Sequence, residues 1–104
     1  MNEEQLLKSG ERINQLFSTD IKIIQNREVF SYSVDSVLLS RFPRFPKNGL
    51  IVDFCAGNGA VGLFASSRTK AKILSVEIQE RLADMAERSV RLNGLEEQMQ
   101  VICD

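Results

Sequence analysis

Three acidic residues are spaced along the second half of the sequence, Asp53, Glu77 and Asp104. Each lies near or at the carboxyl end of a short apolar run: Leu50-Ile51-Val52-Asp53-Phe54, Lys72-Ile73-Leu74-Ser75-Val76-Glu77, and Gln100-Val101-Ile102-Cys103 before Asp104. After the first run comes Cys55-Ala56-Gly57-Asn58-Gly59-Ala60. Gly57 and Gly59 allow tight backbone turns and remove side chains that would block a close approach. For a ligand containing adenosine, Glu77 would accept hydrogen bonds from both ribose hydroxyls, at the offset of roughly 20 residues from the glycines that such sites use. Asp104 would accept from the adenine amino group. Asp53 inside an apolar strand is costly unless loop N–H groups or a ligand ammonium supply donors.

The elements that must position these residues are legible from periodicity. Leu50–Phe54 reads as a strand buried on both faces of a parallel sheet. Glycines at 57, 59 and 62 lead into a helix around Val61–Ala65, and 72–77 is a second strand. Gln79–Asn93 is the clearest helix: Ile78, Leu82, Ala86 and Val90 recur every four residues with Met85 beside them, defining one apolar face. Asp84 with Arg88 and Glu87 with Arg91 form i,i+4 pairs on the polar side, and Gly94 supplies a left-handed stop. A third strand ends at Cys103. Upstream, residues 3–16 hold one or two helical turns around Gly10. Ile21–Gln25 and Val29–Tyr32 read as a hairpin, and Ser33 or Asp35 caps a short helix that Pro43 and Pro46 end.

The expected fold class is therefore α/β: the first half of a Rossmann-like doubly wound parallel sheet, three strands in the order 3-2-1, preceded by an N-terminal β-hairpin and short helix. Residues 1–49 form the extension and residues 50–104 the partial sheet domain. The 104 residues suit one compact domain. With 13 basic and 14 acidic residues the net charge is −1, so no global field steers the chain towards nucleic acid, and such contact must be local. No apolar stretch approaches the roughly 18 residues of a membrane span. The N-terminus lacks a secretory pattern. Cys55 and Cys103 have no metal-like spacing and the chain has no histidine, so both read as buried thiols, no metal is expected, and the expected location is cytoplasmic.

Val52-Asp53-Phe54-Cys55-Ala56-Gly57-Asn58-Gly59 resembles the first motif of class I S-adenosylmethionine-dependent methyltransferases, with its acid four residues before the first glycine. Val76-Glu77 resembles their second motif and Ile102-Cys103-Asp104 their third. Tyr32-Ser33-Val34-Asp35-Ser36-Val37-Leu38-Leu39, with Arg91-Leu92-Asn93-Gly94-Leu95, is similar to the family that methylates the exocyclic amine of adenine in a valine tRNA. The resemblance implies S-adenosylmethionine as cofactor and tRNA as partner. It also implies a cofactor set of Asp53, Cys55, Ala56, Gly57, Asn58, Gly59, Glu77, Ile78 and Asp104, to which Ser33 and Asp35 are added beside their capping role. The family's Asn-Pro-Pro-Tyr segment is absent: the prolines are Pro43 and Pro46, and no Asn-Pro occurs. No catalytic residue is therefore assigned, and the chain reads as a truncated N-terminal part that binds cofactor at most.

Gly57-Asn58-Gly59-Ala60-Val61-Gly62 also fits G-x-G-x-x-G, which leaves an NAD- or FAD-binding domain as the alternative; Asp53 argues against it by repelling a pyrophosphate. A non-catalytic cofactor-binding module is the other. Arg41-Phe42-Pro43-Arg44-Phe45-Pro46-Lys47 reads as a loop whose aromatics plug the core while its cations face water, and Arg68, Lys70 and Lys72 as a solvated connection far from the ligand. Removing later strands would expose the edge of strand 50–54, so the chain is expected to dimerise or swap there.

Overall fold

The computed structural model describes residues 3–15, 20–26, 47–54 and 56–104. The elements run α1 (Glu3–Leu6), β1 (Glu11–Gln15), β2 (Lys22–Asn26), β3 (Leu50–Phe54), α2 (Ala60–Ser66), β4 (Lys72–Glu77), α3 (Glu80–Leu92) and β5 (Met99–Cys103). β3, β4 and β5 form a three-stranded parallel sheet in the order β3-β4-β5, with Asp53 opposite Ser75 and Glu77 opposite Cys103. A strand–helix–strand–helix–strand run with this neighbour order is the half Rossmann-like sheet read from the sequence.

Side chains alternate across the sheet. Ile51, Ile73, Met99 and Val101 belong to the face that packs on Ala60, Leu63 and Phe64 of α2, Val90 of α3 and Ile23 of β2. Close contact of α2 with this face depends on Gly62, where an added Cβ would lie 2.8 Å from Met99 Cε and 2.9 Å from Ser75 Oγ. The opposite alternation carries Leu50, Val52 and Phe54, which are 60%, 40% and 74% exposed. The expectation that this strand is buried on both faces thus fails among the described residues. Burial there needs a second layer, and α2, α3 and the hairpin all pack elsewhere.

The described hairpin brings in a strand that the sequence reading took as helical. β2 runs antiparallel to β1, with Ile13 opposite Ile24, so Glu11–Gln15 is a strand where helical turns are expected, and only Glu3–Leu6 is helical. The expected partner segment Val29–Tyr32 lies outside the described residues, as does the short helix expected after Ser33. Side chains of α3 decide the pairing. Arg88 binds Glu11, Ser89 Oγ accepts from Ile24 N at 2.9 Å, and Asn93 both accepts from Lys22 N (2.7 Å) and donates to Lys22 O (2.6 Å).

α3 is consequently buried on two sides. Val90 faces the sheet cluster, while Leu82 and Met85 pack with Leu6, Ile24 and Ile13. Two corrections follow. Arg88 is 5% exposed, so its end of the pair with Asp84 (Nε to Oδ2, 3.0 Å) is buried, while the Asp84 side chain stays 39% exposed. Ile78, read as part of the apolar stripe, precedes the helix and is 76% exposed. α3 ends as its sequence implies: Gly94 has φ +66°, its N–H reaches Arg91 O (3.1 Å), and Leu95 N–H reaches Val90 O (3.0 Å), the paired bonds of a Schellman cap. No helix among the described residues is long and apolar enough to cross a membrane.

Candidate functional site

Asp53, Glu77 and Asp104 meet at the carboxyl edge of the sheet because parallel register aligns their strand ends. Asp53 pairs with Ser75, two residues before Glu77 on the same face, and Asp104 N–H donates to Glu77 O at 3.2 Å. The glycine loop closes over this edge. Ala56 N–H donates to Val76 O (3.0 Å) and Gly59 N–H to Ala56 O (3.0 Å), which ties the loop to β4 and turns it sharply into α2. Gly57 and Gly59 have φ of +59° and +90°, the left-handed region that disfavours side chains. A Cβ at Gly59 would also stand 3.1 Å from Ala86 Cβ of α3.

Glu77 is 5% exposed, and each of its oxygens holds a different backbone donor: Oε1 takes Gly57 N–H at 2.7 Å and Oε2 takes Gln79 N–H at 2.9 Å. One carboxylate therefore joins the glycine loop to the start of α3. Each oxygen keeps a further lone pair, so the carboxylate has capacity for two more donors, such as vicinal hydroxyls.

Asp53 is the costly residue of the site. Its Oδ2 is buried without a hydrogen-bond partner among the described residues. Burial, and then the charge of Glu77, hold its carboxyl above the ordinary 3.8. The folded state thus binds a proton at Asp53 more readily than the unfolded chain, and stability falls as pH rises from 3.8 through the raised folded value. Asp53→Asn is expected to raise the thermal midpoint near neutral pH and to flatten this part of the profile. Melts of both proteins from about pH 4 to about pH 7 check it, and equal profiles would refute the assignment.

Asn58 has a structural role that its position between two glycines only hints at. It is fully buried, and its Nδ2 donates to Ile24 O of the hairpin at 3.3 Å. Its side chain therefore points into the protein, which leaves the loop backbone to face a ligand. Ala56 is buried and Ile78 exposed at the same edge. Asp104 is exposed, and so is Cys103, which corrects its reading as a buried thiol: it ends a strand that is at the sheet edge among the described residues. Ser33, Asp35 and Cys55 lie outside the described residues.

Sequence reasoning did not reach the second donor on Glu77, because Gln79 N–H is available to it only through the turn after β4. Nor did it reach Ile24, whose carbonyl accepts from Asn58 of the loop.

No protein-family model matches the chain, and no curated protein matches it. Its fold does match solved structures. TYW2 of Pyrococcus horikoshii, solved in complex with MeSAdo, superposes with a TM-score of 0.74 at 19% identity, covering 92% of this chain and 36% of that one. Trm5 of Methanocaldococcus jannaschii, in complex with adenosine, gives 0.73 at 17% identity over 94% of this chain and 31% of that one. The tRNA (uracil-54, C5)-methyltransferase of Pyrococcus abyssi, with S-adenosyl-L-homocysteine, gives 0.66 at 19% over 92% and 24%. The chain spans about a third of the length of the first two. It shares the Rossmann-like α/β fold of these proteins.

Proposed function

We propose that the chain forms the S-adenosylmethionine site of a methyltransferase that modifies RNA, with the exocyclic amine of an adenine in tRNA as its target. The observation that carries the cofactor reading is the pair of carboxylates at the strand ends. Glu77 is aligned by two loop N–H groups, and Asp53 is buried with an oxygen that lacks a donor. A ligand bearing ribose hydroxyls and an ammonium group satisfies both. A dinucleotide would bring its pyrophosphate against the same two acids. The ligands named with TYW2, Trm5 and the uracil-54 enzyme support the same class, and the last of these supports tRNA as substrate.

Bound here, S-adenosylmethionine would supply a methyl group made electrophilic by its sulfonium. The chain's own residues bind and orient: Glu77 takes the ribose hydroxyls, Gly57 and Gly59 bring backbone close to the ligand, and Asp53 takes the ammonium. Asp104 takes the adenine amine, with exposed Ile78 against the ring. In-line displacement depends on positioning more than on a strong base, so a site without histidine suffices. We assign residues 50–104 to the cofactor domain, residues 1–49 to an extension that buttresses it, and the protein to the cytoplasm. Gripping the target amine needs groups other than those described.

Calorimetric titration with S-adenosylmethionine, S-adenosylhomocysteine and NAD in parallel tests the reading. Binding of the first two alone is the expected result, and binding of NAD alone overturns it.

The exposed strand carries a further proposal. β3 has no strand beyond it among the described residues, and Leu50, Val52 and Phe54 lie beside its open edge. An open apolar edge is a template for another strand. The chain is expected to self-associate there, giving a mass that rises above 11.7 kDa with concentration in size-exclusion chromatography with light scattering. Val52→Lys should restore the monomer. A wild-type chain that remains monomeric throughout would end the proposal.

A further inference from the structure

At the opposite end of the sheet from the carboxylates is a cavity of about 590 Å³ whose walls come from two distant stretches of sequence. Lys47 and Asn48, just before β3, form one wall, and Ser66, Ser67, Arg68 and Lys70, from the end of α2 and the turn into β4, form the other. We propose that this cavity is a docking site for the phosphodiester backbone of RNA. The inference rests on the RNA-modifying reading above and adds to it a second contact, remote from the cofactor.

Composition and bracing carry the argument. Among the described residues three cations line the cavity and no acidic side chain does, in a chain whose net charge is −1. Lys47, Arg68 and Lys70 are exposed, and none takes part in an ion pair among the described residues. Their mutual repulsion is therefore uncompensated, which favours an anionic partner.

The walls are also tied together. Lys72 N–H donates to Gly49 O at 2.8 Å, joining the turn before β3 to the start of β4. Gln98 Nε2 holds Thr69 O (2.7 Å) and Ala71 O (3.1 Å), fixing the other loop. Carbonyls at the end of α2 would by themselves repel a phosphate. Two of them are occupied, since Ser66 Oγ donates to Leu63 O (2.5 Å) and Ser67 Oγ to Phe64 O (2.6 Å). The remaining donors are two ammonium groups, a guanidinium able to take phosphate oxygens in bidentate fashion, and the Asn48 amide. Among the described residues the lining is polar and cationic, a chemistry that fits a nucleic-acid backbone better than an anionic membrane.

The test compares the chain with the triple variant Lys47→Gln, Arg68→Gln, Lys70→Gln. Binding of a short RNA stem-loop is measured over a range of salt, with S-adenosylmethionine titrated into both proteins. Loss of three phosphate contacts should make the slope of log K against log salt shallower by about 2, with at least roughly tenfold weaker binding at about 0.1 M salt. All three residues are exposed, so the melting temperature and cofactor affinity should not move. An unchanged salt slope overturns the inference and leaves the cofactor reading intact, and absence of RNA binding by either protein overturns it as well. Loss of cofactor binding by both proteins overturns the functional reading, while the salt slope still decides the cavity. Stronger binding to phosphatidylserine vesicles than to RNA, lost in the variant, would replace RNA with a membrane.

Discussion

Arg88→Leu is expected to destabilise the chain by about 3–5 kcal/mol, the cost of leaving a buried charge without its partner. The Arg88 and Glu11 side chains are 6% and 3% exposed, and they meet through two contacts, Nη1 to Oε1 and Nη2 to Oε2, the second at 2.7 Å. Arg88 Nη1 also donates to Leu6 O at 2.8 Å, and Nε to Asp84 Oδ2 at 3.0 Å. One guanidinium thus joins α1, β1 and α3. Domains of this size have total stabilities of about 5–15 kcal/mol, so the loss would leave little or nothing of the native state.

Two controls separate the charge from the packing. Adding Glu11→Leu to Arg88→Leu should recover a large part of the loss, because replacing both members of a buried pair removes the uncompensated charge. The pH profile provides the second. The hydrogen bond to Arg88 holds the Glu11 carboxyl below its ordinary 4.5, against an opposing effect of burial. Its contribution is therefore full above 4.5 and is lost as pH falls through the depressed folded value. In Arg88→Leu that dependence should shrink, since only the Lys8 N–H (2.7 Å) and the Lys8 charge then oppose the effect of burial. Urea unfolding at several pH values measures both effects, and a single variant within about 1 kcal/mol of wild type would remove Arg88 from its central role.

Glu77 carries the second large effect. Glu77→Ala is expected to weaken S-adenosylmethionine binding by at least roughly a hundredfold, about 2.8 kcal/mol at 1.4 kcal/mol per decade. Hydrogen bonds to a charged group contribute about 1.5–3 kcal/mol each, and the carboxylate already aligns two loop donors while offering the ribose two acceptors. Glu77→Gln should be nearly as severe. Gly57 N–H and Gln79 N–H approach different oxygens, and an amide has an acceptor for only one of them and turns its own N–H towards the other. Calorimetry on the two variants, alongside their melting temperatures, tests this. A Glu77→Gln variant that binds as wild type would show that the second oxygen is not needed. A cofactor affinity unmoved in Glu77→Ala would remove the residue from the site.

Much of the site was legible because its signals are local. An acid at the end of an apolar run, glycines directly after it and a second acid at the end of the next run are short-range features, and each specifies a strand end or a turn. Parallel pairing then brings the ends together without further instruction, so Asp53 and Glu77 fall on one face at one edge. The α3 stop at Asn93-Gly94 was equally local, since only the residues of the cap take part in it.

The strand β1 was not legible, because its pairing is specified from outside its own sequence. Glu11-Arg12-Ile13-Asn14-Gln15 has no clear period, and it becomes a strand through Arg88, some 77 positions away. The burial of Arg88 had no sequence signal either. An arginine four residues after an aspartate on a helix reads as a solvated pair, and only the packing of a second layer over α3 removes it from water. Exposure of Leu50, Val52 and Phe54 likewise depends on what stands over the sheet. Local sequence was enough for the three parallel strands, the helices between them, the glycine loop and the acids at the strand ends, because neighbouring residues suffice to define each. Tertiary structure alone decided which surfaces face one another: the hairpin against α3, Asn58 against Ile24 and Lys47 across from Arg68. Such contacts join residues far apart in the chain, and their energy is gained only once the intervening segments have folded.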